Sequence, residues 1–160
     1  MQWKNYWEGP DIMDEQELRI FIDIVSQYFE NQTGRPPEIG SPYLGDHSEL
    51  PIYEFTGVIG ISGTRQGCVY FTAHRDLLRQ LLLHVGEPDV SDKNLKDLVG
   101  EIANTISGNA RRHFGPDFMI SVPVVVAGNA DSIQVPRNVK AYILPLRWHK
   151  MDAVLVASLQ

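Results

Sequence analysis

Asp97, Glu101, Asn104 and Gly108 stand at spacings of four, three and four in the stretch DLVGEIANTISGN. At about 100° per residue these spacings gather all four within an arc of roughly 60° of a helix. Leu95, Leu98, Val99, Ile102, Ile106 and Ala110 gather almost opposite, on the face such a helix buries. An exposed Asp or Glu is usual on a solvated helix. Asn and Gly are not, because each costs about 0.5–1 kcal/mol against alanine in a helix interior. Gly100 and Gly108 are both expected on the outward side, where no core-packing demand explains them. Missing side chains let another surface approach the backbone, and Glu101 with Asn104 would offer that surface one charge and one amide. Composition alone fits a merely imperfect helix equally well.

These residues need a helix to display them. Ser91 is a plausible N-cap and Gly115-Pro116 a clear stop, which predicts one helix over 91–114. A first amphipathic helix starts at Asp14, with Glu17 three residues on as its capping-box partner. It buries Leu18, Phe21, Ile22, Val25 and Phe29 and ends at Gly34. RDLLRQLLLHVG is a shorter helix ending near Gly86. YEFTGVIGIS and GCVYFTA, joined by GTRQ, read as a hairpin, and FMISVPVVVA, NVKAYILPLRW and AVLVASL as three further strands. Residues 35–50, rich in Pro and Gly, read as a loop holding at most one short strand.

Antiparallel strand groups with helices between them predict an α+β fold, an antiparallel sheet with helices packed on it. Sliding the chain by 74 positions lays Phe21, Ile24, Val25, Tyr28 and Phe29 on Leu95, Leu98, Val99, Ile102 and Ala103, and Gly34 on Gly108. Each helix is followed by a proline-bearing segment and two strand candidates. The pattern reads as a duplicated unit of one helix plus three strands, with the short helix as an extra; two unrelated amphipathic helices would also align.

The 160 residues, 43% of them hydrophobic, suit one domain over 14–160 preceded by an extension, 1–13, that carries Trp3 and Trp7. A net charge of −6 argues against nucleic-acid or anionic-membrane surfaces. Without a long apolar run or a signal-peptide pattern, the expected location is cytoplasmic. Cys68 is the single cysteine and sits in an apolar strand, so it reads as a packed thiol. His74, His84, His113 and His149 show no metal-ligand spacing, and His113, near the apolar side of its helix, reads as structural. Gly57, Gly60 and Gly63 lack the Lys-Ser/Thr of a phosphate loop and read as bulges or close strand packing. Arg111 and Arg112 complement the helix dipole.

The pattern Asp97-x-x-x-Glu101-x-x-Asn104-x-x-x-Gly108, with TGVIGISGTRQGCVYFT before it and ISVPVVVAGNADSIQVP after it, resembles the CheC, CheX and FliY family of chemotaxis phosphatases, and the CheX branch in particular. The resemblance covers roughly residues 14–159. In the first helix, Asp23, Gln27, Glu30 and Gly34 fall on the four motif positions, so neither the Glu nor the Asn is matched there. One active helix face per chain is CheX-like.

The resemblance implies hydrolysis of the aspartyl phosphate of a CheY-like response regulator. Asn104 would orient the attacking water, and Glu101 would pair with a lysine near the phosphorylation site. Asp97, Gly100 and Gly108 would serve docking, with Asp97 equally readable as solvated surface. No metal or other cofactor of its own is implied; Mg²⁺ would belong to the receiver. A homodimer is implied as well. The other reading is a non-catalytic module that binds receiver domains or a partner chain through the same face.

Overall fold

The computed structural model describes residues 13–46, 50–128 and 140–160. Most of the extension, with Trp3 and Trp7, lies outside the described residues, as do Asn138 and Val139 of one predicted strand. Met13, assigned to the extension by sequence, is buried in the helix-side core.

Helix α1 spans Glu15–Thr33, and Asp14 caps it as expected: its side chain accepts from the Glu17 N–H at 2.8 Å while Glu17 reaches back to the Asp14 N–H. Gly34 closes α1 in the left-handed conformation with φ 77°, which a glycine adopts without a Cβ clash. Helix α2 spans Arg75–His84, and α3 spans Asp92–Phe114 with Ser91 as its N-cap. The strands are β1 (Glu38–Ile39), β2 (Tyr43–Gly45), β3 (Phe55–Gly63), β4 (Gly67–Ala73), β5 (Phe118–Ile120), β6 (Val124–Ala127), β7 (Ala141–Trp148) and β8 (Met151–Leu159).

These eight strands of the described residues form one antiparallel sheet in the order β1-β7-β8-β4-β3-β5, with β2 also on β7 and β6 also on β3. The two halves of the chain interlock through it. The broken strand β1/β2 of the first half pairs with β7, the broken strand β5/β6 of the second pairs with β3, and β4 meets β8 in the middle. The duplicated unit predicted from sequence is thus visible as an exchange of short strands.

Two predicted segments differ in detail. Residues 35–50 hold two short strands rather than at most one. FMISVPVVVA is split, because Ser121 leaves the ladder: its side-chain oxygen accepts from the Gly60 N–H at 2.8 Å and its N–H donates to the Gly60 carbonyl at 2.9 Å. Pro123, with no N–H to give, then separates β5 from β6.

The side-chain alternation of the strands makes two cores. Val69 and Phe71 of β4, with Leu155 and Ala157 of β8, face the three helices, where Phe29 meets Phe71 and Trp148 at ring-centroid distances of 6.4 and 5.9 Å. Cys68, Tyr70, Val154 and Val156 face the other way, under Leu50, Ile52 and Tyr53. That covering segment is held by the Tyr70 hydroxyl donating to the Pro51 carbonyl at 3.0 Å and by the Tyr53 N–H donating to Thr72 Oγ1 at 2.7 Å. Cys68 is buried, as expected, and its thiol is pushed up to about 11 by that burial. No helix among the described residues is long and apolar enough to cross a membrane.

Candidate functional site

Helix α3 lies across β3, and the contact demands Gly57: a Cβ there would stand 2.4 Å from the Val99 carbonyl oxygen. Gly60 faces Ser121, and Gly63 turns with φ 91° against the Asp117 carbonyl, so all three glycines serve close packing, as the sequence predicted. The apolar stripe Leu95, Leu98, Val99, Ile102, Ile106 and Ala110 is buried, and the expected apolar face of α3 is its buried face.

The buried arc is wider than that stripe. Ala103, Ser107 and Gly100 are buried too, because β6 flanks the helix on that side. Gly100 is therefore not part of the outward face: a Cβ on it would stand 2.9 Å from Val125 Cγ2 and 3.7 Å from Pro123 Cβ. Its assignment to docking is corrected to close packing between α3 and the strand that covers it. Gly108 differs, since among the described residues nothing lies within 4 Å of where its Cβ would be.

Asp97, Glu101 and Asn104 are exposed, and among the described residues none of the three side chains is held by a hydrogen bond or an ion pair. Glu101 and Asn104 stand one turn apart on the same arc. Glu101 and Asp97 also edge a groove of about 280 Å³ between the helices, whose other walls include Tyr28 and Gln32 of α1, Val85, and Glu87. Burial first, and the Glu101 carboxylate second, push the Tyr28 phenol above its ordinary value, so it stays neutral beside the acid. Tyr28 and Gln32 were missed as site residues. A tyrosine within an apolar stripe is the available signal, since its ring is buried while its polar tip reaches the rim.

The first helix shows the contrast between the halves. Gln27 donates to Asn31 Oδ1 at 2.8 Å, so this amide is engaged along its own helix, whereas Asn104 is not. A second groove of about 430 Å³ runs between Asp23, Gln27 and Asn31 of α1 and Thr105, Asn109 and Arg112 of α3. His113 lines it and is exposed, contrary to the structural reading, because α3 turns that side to solvent at its last turn. Arg111 donates to the Pro116 carbonyl at 3.1 Å, beyond the helix end. Among the described residues, no three His, Cys, Asp or Glu side chains are placed together to hold a metal ion.

The family model "Chemotaxis phosphatase CheX" matches residues 55–147, which contain all of α3 and more than half of the 160-residue chain. The chain belongs to the CheX family. Solved structures carry the same fold. A CheC-like superfamily protein from Shewanella sp. PV-4 superposes with a TM-score of 0.81 at 23% identity, covering 92% of this chain and 99% of that one. CheX from Vibrio vulnificus gives 0.77 at 20% identity, with 91% and 99% covered. A chain of the CheX–CheY–BeF₃–Mg²⁺ complex from Borrelia burgdorferi gives 0.71 at 18% identity, with 90% and 97% covered. No curated protein matches by sequence. The CheX match contains the outward-facing residues of α3 but not α1, β1, β2 or β8, and the structural likeness extends over 92% of the chain.

Proposed function

We propose that the protein dephosphorylates the aspartyl phosphate of a CheY-like receiver domain, docking through the outward arc of α3. The observation that carries this reading is the exposed, unengaged pair Glu101 and Asn104, one turn apart on a CheX-family helix. The Borrelia burgdorferi complex, in which CheX is found with CheY, BeF₃ and Mg²⁺, supports the choice of partner.

An acyl phosphate is a reactive system, and phosphoryl transfer is catalysed mainly by positioning and electrostatics. The water oxygen bonds to phosphorus as the bond from phosphorus to the aspartyl oxygen breaks. The carboxylate keeps the electron pair, and the water proton passes to solvent. In this reading Asn104 orients that water through a side-chain amide that carries no charge at any working pH. Glu101 pairs with a lysine beside the receiver's phosphorylation site and steers the encounter. Asp97 helps set register, and Gly108 leaves clearance for the approaching surface. The protein is then a hydrolase that needs no metal of its own, the Mg²⁺ being the receiver's. A cytoplasmic location and a homodimer joined along sheet edges belong to the same reading; the edge around β5 and β6 exposes Met119 and Val124.

The test follows phosphate release from a phosphorylated receiver with wild type and with Asn104→Ala. Release above the receiver's intrinsic rate by wild type alone supports the reading. Intrinsic rates with both proteins overturn it and leave a receiver-binding module, which co-sedimentation then detects.

A further inference from the structure

Where α1 ends, Arg35 and Pro36 lead into β1, whose Glu38 stands opposite Arg147 of β7 in the ladder. These residues, with Trp148, His149 and Lys150 at the β7–β8 turn, line an open groove of about 650 Å³. It concentrates positive charge on a chain whose net charge is −6. Arg147 is held by Asp152, Nε to Oδ1 at 2.9 Å, and the field of Glu38 also reaches it. Arg35 and Lys150 have no ion-pair partner among the described residues.

Two further features mark the wall of this groove. Trp148 is 1% exposed, and among the described residues its indole N–H meets no acceptor. A buried donor without an acceptor is costly, and such a group asks for an explanation. The turn is also unusual. His149 and Lys150 have φ 49° and 65°, the left-handed pair that a two-residue hairpin turn ordinarily gives to Asn-Gly. Here those positions carry an imidazole, edge-on to Trp148 at 4.4 Å, and an ammonium, and both residues line the groove. Arg35 is anchored as well: its N–H donates to Thr33 Oγ1 at 3.2 Å, and that hydroxyl bonds the Phe29 carbonyl at 2.7 Å.

We propose that this groove binds a small phosphate-bearing anion. The guanidinium of Arg35 supplies forked donors and the Lys150 ammonium a mobile point charge, both of which phosphate oxygens accept, while the buried Trp148 forms part of the groove wall. The groove of about 650 Å³ has room for a condensed or an organic phosphate as well as for the bare ion. This site is separate from α3 and does not depend on the receiver reading.

The experiment titrates ¹⁵N-labelled full-length protein with inorganic phosphate, pyrophosphate and AMP at constant ionic strength, reading the Trp148 indole N–H and the His149 and Lys150 amides. Saturable shifts at all three are expected with at least one of the phosphates. Tighter binding of pyrophosphate identifies a condensed phosphate, and tighter binding of AMP an organic one. Arg35→Gln and Lys150→Asn should each weaken binding about tenfold, the loss of one charge-assisted hydrogen bond. Asn suits the left-handed backbone, so the second variant removes the charge and keeps the turn. Linear, non-saturating shifts with all three compounds overturn the proposal, as does undiminished affinity in both variants.

Discussion

Val125 of β6 closes over Gly100 of α3, so that a Cβ on this glycine would stand 2.9 Å from the valine Cγ2. Gly108, two turns on, meets nothing among the described residues. The two glycines look alike in sequence, and they should respond oppositely to alanine. Gly108→Ala should gain about 1 kcal/mol of helix propensity. In Gly100→Ala that gain is set against overpacking strain of about 1–3 kcal/mol, which leaves a net loss of roughly 1 kcal/mol. Thermal unfolding of both variants reads the signs. Receiver dephosphorylation should fall only for Gly108→Ala, since that methyl group stands on the docking arc.

Gly57 offers a harsher case. The atom its Cβ would meet is the Val99 carbonyl oxygen at 2.4 Å, part of a helix backbone that cannot turn aside like a side chain. Gly57→Ala must lift α3 from β3, and the expected loss is about 3 kcal/mol or more. Denaturant unfolding would show it as a large drop in midpoint or as failure to fold.

Glu101 and Asn104 should separate in steady-state kinetics with a phosphorylated receiver. Asn104→Ala should lower kcat by about 10²-fold or more, the scale of losing a positioned catalytic group, and leave KM nearly unchanged. Glu101→Gln should raise KM and flatten its dependence on salt, because the group removed is an exposed, screened charge. Both variants should unfold near the wild-type temperature, since neither side chain is engaged among the described residues.

Glu17 does two jobs in the structure. It completes the α1 capping box with Asp14, and its carboxylate also bonds Arg65 at the β3–β4 turn in a mostly buried pair. Glu17→Gln keeps an acceptor for the cap and loses the charge, whereas Glu17→Ala loses both. The expected order of melting temperatures is wild type, then Gln, then Ala, with the full loss about 1–2 kcal/mol. Equal melting of the Gln and Ala variants would show that the cap contributes nothing.

Alkaline pH should destabilise the fold in a defined window. Burial raises the Cys68 thiol from 9.0 to about 11, and burial likewise raises the phenols of Tyr28 and Tyr70. These groups stay protonated in the folded chain while the unfolded chain ionises. Their stabilisation is complete below the unfolded values and is lost as pH rises toward the folded ones, by about 1.4 kcal/mol per pH unit for each group in its window. Urea midpoints should fall from about pH 9 upward, and Cys68→Ala should flatten the first part of that decline.

The parts of the molecule legible in the chain alone are those whose causes are local. Asp14, Ser91 and Gly34 end helices through hydrogen bonds spanning a few residues, and the apolar stripe of α3 follows from helical periodicity. Strand composition likewise marks β4 at its true bounds. The spacing of Asp97, Glu101, Asn104 and Gly108 puts them on one arc of any helix, and that arc is indeed the open one except at its edge.

Tertiary structure decided where the open arc stops. A helical wheel treats the side opposite the apolar stripe as solvent, but α3 is flanked by α1 and by β6, so its exposed arc is narrower than periodicity implies. Gly100 falls under β6 for that reason, while His113, which the wheel places toward the core, emerges at the last turn. The break between β5 and β6 depends on Gly60, 61 residues away from Ser121. The groove beside Glu101 combines residues from separate helices, and the cationic groove at the sheet end joins Arg35 to a turn more than a hundred residues later. Contacts between segments so distant along the chain leave no local pattern; they exist only once the sheet has brought its strands together.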